Sequence, residues 1–139
     1  MTEEIRRHYR FENFSRAFAL LREAAKIESP NDLEQSGIIS RFLRAHDLAC
    51  KMLTERLEDE GVLLTAATPR IAIKKAVAAN FIDNHNIWYD MGGFGNDLSC
   101  LCDAKKSEQA VETITIPYLA ALKKLHNKFQ REIPAEIKK

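Results

Sequence analysis

Long apolar runs are missing from this chain of 139 residues: nothing in it approaches the roughly 20 apolar residues that a membrane-crossing helix needs. Charge of one sign is missing too. Lys and Arg number 21 against 20 Asp and Glu, and a net charge of +1 gives no overall field to draw DNA, RNA or a membrane surface. Cysteine is scarce and odd in number, at three, and Cys100 and Cys102 stand too close together for an ordinary bridge. Reduced thiols follow, and the N-terminal MTEEIRRHYR has no apolar stretch of the kind a signal peptide carries. The expectation is a cytoplasmic protein. Strand-like alternation, a repeat period and a Pro/Gly-rich linker are all absent, so 1–139 reads as a single domain.

Site motifs are equally sparse. Gly92, Gly93 and Gly95 make a glycine-rich stretch, but a phosphate loop needs Gly-Lys-Ser/Thr after a strand, and neither is there. No CxxC…CxxC framework exists, so Cys100 with Cys102, or His46 with Cys50, is only half of a zinc set. No metal and no cofactor is expected. The simpler reading makes Cys50 a small apolar residue and His46 a hydrogen-bonded core histidine. His85 is expected in a turn, and His126 on the outside of the last helix.

What the chain does have is helical periodicity. Ile39, Phe42, His46, Ala49, Leu53 and Leu57 recur at 3-4 spacing from about Asp32 to Gly61, which places them on one helix face. Arg44, Asp47, Lys51, Thr54 and Glu58 form the opposite, wet row. Ile38, Leu43, Ala45, Cys50 and Met52 widen the apolar side, so several neighbours must cover this helix. It is the central rod.

The flanking segments read the same way. Thr2 caps a first helix with Phe11, Phe14, Phe18 and Leu21 inward, and Ser29-Pro30 is expected to end it. Asn31 to Glu34 reads as a capping box, Gly61 as a left-handed stop, and Thr68-Pro69 as a restart. Asn80 is a second left-handed end. Asp83 is expected to cap a fourth helix carrying Ile87, Trp88, Met91, Phe94 and Leu98, in which the glycines predict a bend or an early end. Asp103 caps a last long helix with Val111, Ile114, Tyr118, Leu122, Leu125 and Phe129 inward, kinked at Pro117, before a frayed tail. The fold class is all-α: an up-down four-helix bundle with an additional short helix. Two basic clusters, Arg6, Arg7, His8 and Arg10, and Lys123, Lys124, Lys128 and Arg131, read as solvated faces that could also attract an anion.

Three stretches carry a family resemblance: FENFSRAFALLREA from Phe11, RFLRAHDLACKMLTERLEDEGV from Arg41, and TPRIAIKKAVAANFID from Thr68 followed by Trp88-Tyr-Asp-Met91. Arg41, Phe42, Asp47, Leu48, Ala49, Lys51 and Leu53 fit the pattern of the second, and Pro69, Arg70, Ala76, Ile82 and Asp83 that of the third. The chain resembles the nucleotidyltransferase substrate-binding proteins, within the wider HEPN group. That resemblance covers nearly the whole chain. It implies a cytoplasmic homodimer that partners a separately encoded minimal nucleotidyltransferase, with a nucleotide or other anionic small molecule as a possible ligand.

Some relatives in that group are ribonuclease toxins of toxin-antitoxin pairs, with an arginine-asparagine…histidine-x-tyrosine motif near the junction of the last two helices. Asn96, Ser99 and Asp103 match it here, but Gly95 stands at the arginine, Cys100 at the histidine and Cys102 at the tyrosine. RNA cleavage through the 2′-hydroxyl needs a general acid/base and a cation for the developing charge. Glycine supplies no cation, and a thiol with a reference pKa of about 8.5 replaces imidazole poorly. The resemblance therefore implies a non-catalytic substrate-binding or regulatory subunit. Asn96, Ser99, Cys100, Cys102 and Asp103 are its candidate cleft residues, with dimer contacts around the central and fourth helices. The rivals are a ribonuclease toxin and a structural helical adaptor.

Overall fold

The computed structural model describes residues 2–64, 68–96 and 102–132, with the side chains of 95 and 96 outside that description. Six helical elements follow one another: α1 (Glu3–Ala24), α2 (Asp32–Asp59), α3 (Pro69–Ala78), α4 (His85–Asn96), α5 (Ala104–Thr113) and α6 (Leu119–Gln130). A single π-helical turn, Ile114–Tyr118, joins α5 to α6 into one long rod. The protein is all-α, three long rods and two short helices, and no strand occurs among the described residues.

Helix α2 is the axis, packed by α1, α3, α5 and the π turn. Its stripe from Ile38 to Leu57 is buried almost completely, and the core continues through Phe14, Phe18 and Leu21 of α1 and Ile114, Leu122 and Leu125 of the last rod. The apolar girth of α2 is thus covered inside the chain, and Leu33 is its one large apolar side chain left exposed.

Local capping chemistry explains most boundaries. Thr2 accepts from the Ile5 N–H, and Asn31 and Glu34 bond each other's backbone N–H reciprocally at the start of α2. Gly61, at φ 81°, closes α2 with the Gly61 N–H on the Glu58 carbonyl and the Val62 N–H on the Leu57 carbonyl. Asn80, at φ 64°, repeats that arrangement at the end of α3, with the Phe81 N–H on the Ala76 carbonyl. Thr68 caps α3 ahead of Pro69. The Asp103 carboxylate accepts from the N–H groups of Lys105 and Lys106 and so starts α5.

Two boundaries differ from the sequence expectation. Helix α1 stops at Ala24, not at Ser29-Pro30: the N–H groups of Lys26 and Ile27 tighten onto Glu23 and Ala24, and Ser29 goes left-handed at φ 47°. The turn needs those residues to aim α2 back along α1. Helix α4 is capped by the Asn84 side chain on the Ile87 N–H, while Asp83 reaches across to Lys124. Helix α4 runs on through Gly92, Gly93 and Gly95 to Asn96, with Trp88 and Met91 buried against the core. Pro117 falls inside the π turn, where the Leu119 N–H reaches back five residues to the Ile114 carbonyl. Leu98 and the tail from 133 onward lie outside the described residues.

Candidate functional site

The two ends of α4 border the two candidate regions, and a rise of about 1.5 Å per residue puts them roughly 17 Å apart. At the C-terminal end is the α4–α5 junction, where Asn96, Ser99, Cys100, Cys102 and Asp103 were expected to gather. Asn96 is the last residue of α4; its side chain, and Ser99 and Cys100 entirely, lie outside the described residues. Cys102 is exposed. The Asp103 carboxylate is engaged by two backbone N–H groups, so its first role is to start a helix. Beside it, the Ser107 hydroxyl donates to Gln35 Oε1 at 2.7 Å, and the buried Gln35 amide donates to the Pro30 carbonyl.

At the N-terminal end of α4 lies a cleft of about 450 Å³ between the α3–α4 turn and one face of the last rod. Phe81, Ile82, Trp88 and Leu125 form its buried floor. Ile87, Pro117, Ala120 and Ala121 make an apolar shelf at one end, and Lys124, Lys128 and Arg131 stand along the other. Lys124 pairs with Asp83, and Lys128 donates to the Asn80 carbonyl at the close of α3. The Lys124 ammonium, bonded to the Asp83 carboxylate, holds that group below the usual carboxylate range.

The polar pair inside the core is chemically quiet. Burial drops the His46 imidazole from 6.5 to about 4, against a small opposing pull from Asp47. Burial pushes the neighbouring Cys50 thiol up to about 12, with Asp47 adding in the same direction. Neutral imidazole and protonated thiol are therefore the forms present near neutrality. This bears out the core reading of both residues.

The basic run of α1 stays partly exposed, as expected of a solvated face, but its arginines are paired. Arg6 pairs with Glu55 and Asp59, Arg7 with Glu3 and Asp59, and Arg10 with Glu55, so the acidic end of α2 takes up this charge. Two further partners escaped the sequence reading. Arg56 sits over the rings of Phe81 and Phe129 and bonds Glu132 at 2.6 Å. His126, expected outside, turns in among Phe11, Phe14 and Phe18 with its Nε2 2.8 Å from the Ser15 hydroxyl. The signal was there, since Leu122, His126 and Phe129 keep the 4-3 spacing of an inward face.

A family model described as "nucleotidyltransferase substrate binding protein like" matches residues 9–131, running from the second turn of α1 to the cap of α6. The chain belongs to that family. No curated protein matches it. The match takes in both ends of α4, so the junction and the cleft are equally part of the nucleotidyltransferase substrate-binding fold. Among the described residues no three His, Cys, Asp or Glu side chains cluster as metal ligands, and no helix is long and apolar enough to cross a membrane.

Proposed function

We propose that the chain is a non-catalytic substrate-binding and regulatory subunit that works, as a homodimer, with a separately encoded minimal nucleotidyltransferase. Membership of the family over residues 9–131 is the observation that carries this reading. The chemistry of the core supports it: among the described residues the one imidazole–thiol pair, His46 with Cys50, is held un-ionised and shut from solvent. In this reading the polar residues of the α4–α5 junction, Asn96, Ser99, Cys100, Cys102 and Asp103, face the substrate beside the partner, in the cytoplasm. Catalytic groups come from the nucleotidyltransferase.

The test mixes the purified chain with the nucleotidyltransferase encoded beside it. The expected result is co-elution of the two proteins on size exclusion and faster nucleotide transfer, with the chain alone eluting as a dimer. Absence of a complex together with no gain in transfer overturns the subunit reading. Phosphodiester turnover by the chain alone overturns its non-catalytic character and favours a ribonuclease.

A further inference from the structure

The last rod carries one exposed row along its length. Glu108, Glu112, Ile116, Ala120, Lys124 and Arg131 are all exposed, at steps of four residues as far as Lys124. Steps of four drift around a regular α-helix, and the extra residue of the π turn at Ile114–Tyr118 takes up much of that drift. Charge is sorted by sign along the row. Carboxylates precede the π turn and cations follow it, with Ile116, 63% exposed, and the small Ala120 between them.

Each half of the row borders a groove whose charges do not balance. The groove between the α1–α2 turn and α5 has Ile27, Ile38 and Val111 in its walls, and Glu108 and Glu112 are its charged residues. Neither carboxylate enters an ion pair among the described residues. At the other end of the rod, Lys124, Lys128 and Arg131 of the cleft face Asp83 alone. One groove is thus two cations short and the other two anions short, in a chain whose net charge is only +1. A second copy laid antiparallel along the rod corrects both at once. With a two-fold axis beside Tyr118, Glu112 of one copy meets Lys124 of the other, Glu108 meets Lys128 and Arg131, and Ile116 meets Ala120. Two-fold symmetry makes every such contact twice, over a length of about 30 Å. A parallel arrangement sets like charges against each other and fails.

We propose that the exposed face of the α5–α6 rod is the interface between two copies of this chain, packed antiparallel about an axis beside Tyr118. The proposal rests on the homodimer reading above and adds to it the face, the direction and the register. Helix α2 was expected to share in the dimer contacts, but its apolar stripe is buried within the chain and Leu33 is the one large apolar side chain it leaves exposed. The rod instead presents an apolar centre flanked by opposite charges, which only a partner of reversed polarity matches. The same chain, turned end for end, has that polarity.

Sedimentation equilibrium of the purified chain over a concentration series, without the nucleotidyltransferase, tests this. The natural protein is expected to dimerise, and more weakly as salt rises from about 50 mM to about 500 mM, because the screening length falls below the reach of the rim charges. Glu112→Lys and Lys124→Glu each turn two attractive contacts per dimer into repulsive ones and should weaken it at least tenfold. An equal mixture of the two variants should associate at least tenfold more tightly than either alone, since each altered charge then faces an opposite one on the other copy. Ile116→Asp, at the centre, should leave a monomer. All three positions are exposed, and far-UV circular dichroism checks that each variant keeps its helices. A natural chain that is monomeric throughout the series overturns this proposal and the homodimer reading together. A dimer that ignores both charge reversals, or a mixture no tighter than its components, overturns the interface alone and leaves the homodimer standing.

Discussion

The Nε2 of His46 lies 3.7 Å from the Sγ of Cys50, one turn further along α2, under the rings of Phe42 and Trp88. Burial favours the neutral imidazole in the folded protein, taking its pKa from 6.5 to about 4. The unfolded chain therefore binds the extra proton first as pH falls. The stability tied to this residue is complete above pH 6.5 and is lost on the way down to about pH 4. A shift of that size corresponds to roughly 3 kcal/mol at the acid end of the window. Urea midpoints measured from pH 7.5 to pH 4.5 should fall more steeply in the natural protein than in His46→Gln, which has no proton to take up. Parallel slopes would show that His46 is open to water. The same burial keeps Cys50 a thiol, with a pKa of about 12, so it should resist iodoacetamide at pH 8 until urea unfolds the chain.

His126 and Ser15 form the corresponding contact between α6 and α1, at 2.8 Å. Desolvation among the three phenylalanines lowers the His126 pKa, with Arg22 adding to the effect and the Asn127 side chain opposing it. Ser15→Ala removes the hydroxyl and leaves a ring nitrogen half-buried without its partner. The expected cost is about 1 kcal/mol, read as a lower urea midpoint with an unchanged m-value. The deficit should shrink as pH falls below the ordinary histidine range, because an imidazole that protonates more easily in the folded protein loses less stability to the unfolded chain.

Arg56 joins the ends of three elements. Its guanidinium lies over Phe81 and Phe129 at 5.3 and 5.5 Å from the ring centroids while bonding Glu132. Arg56→Ala removes a stacked plane and an ion pair together, and a loss of about 2 kcal/mol is expected. Arg56→Lys should recover less than half of it, since an ammonium cannot stack on two rings and bond a carboxylate in the same way. Thermal unfolding of the two variants side by side separates packing from charge. Full recovery by lysine would reduce the site to simple electrostatics.

Local signals proved the most legible part of this chain. The Asn31–Glu34 box, Gly61, Thr68-Pro69, Asn80 and Asp103 act within one helical turn, and each falls at a boundary of the fold. The stripe from Ile39 to Leu57 was equally plain, because burial on α2 follows the 3.6-residue period directly. What escaped depends on partners distant in sequence. Nothing near Arg6 and Arg10 announces Glu55 and Asp59, some fifty residues on, so a neutralised interhelical network looked like a basic face. The cleft was hidden for the same reason: Lys124, Lys128 and Arg131 were visible as a cluster, but their apolar floor comes from the α3–α4 turn. Asp83 illustrates the conflict most sharply. By local rules it caps α4; the ammonium of Lys124 across the cleft takes it instead, and Asn84 does the capping.

The glycines divide by backbone conformation, and substitution should separate them. A Cβ on Gly37, Gly92 or Gly93 would meet nothing within 4 Å, and all three lie within helices. Alanine there removes backbone freedom from the unfolded chain without adding a clash, so Gly93→Ala should stabilise the protein by about 0.5–1 kcal/mol. Gly61 is equally uncrowded, but its φ of 81° closes α2 and makes the carbonyls of Leu57 and Glu58 available to the turn. Gly61→Ala must hold a side chain in that left-handed region and should cost about 1 kcal/mol. Ser29, at φ 47°, offers the reverse: Ser29→Gly relieves strain and should at least offset the entropy it adds. Thermal midpoints of the three variants are expected in the order Gly93→Ala highest, Ser29→Gly close to the natural protein, Gly61→Ala lowest. A Gly93→Ala variant that melts below the natural protein would mean that α4 needs the backbone freedom its glycines supply, and that the regular helix through Asn96 is not the stable form.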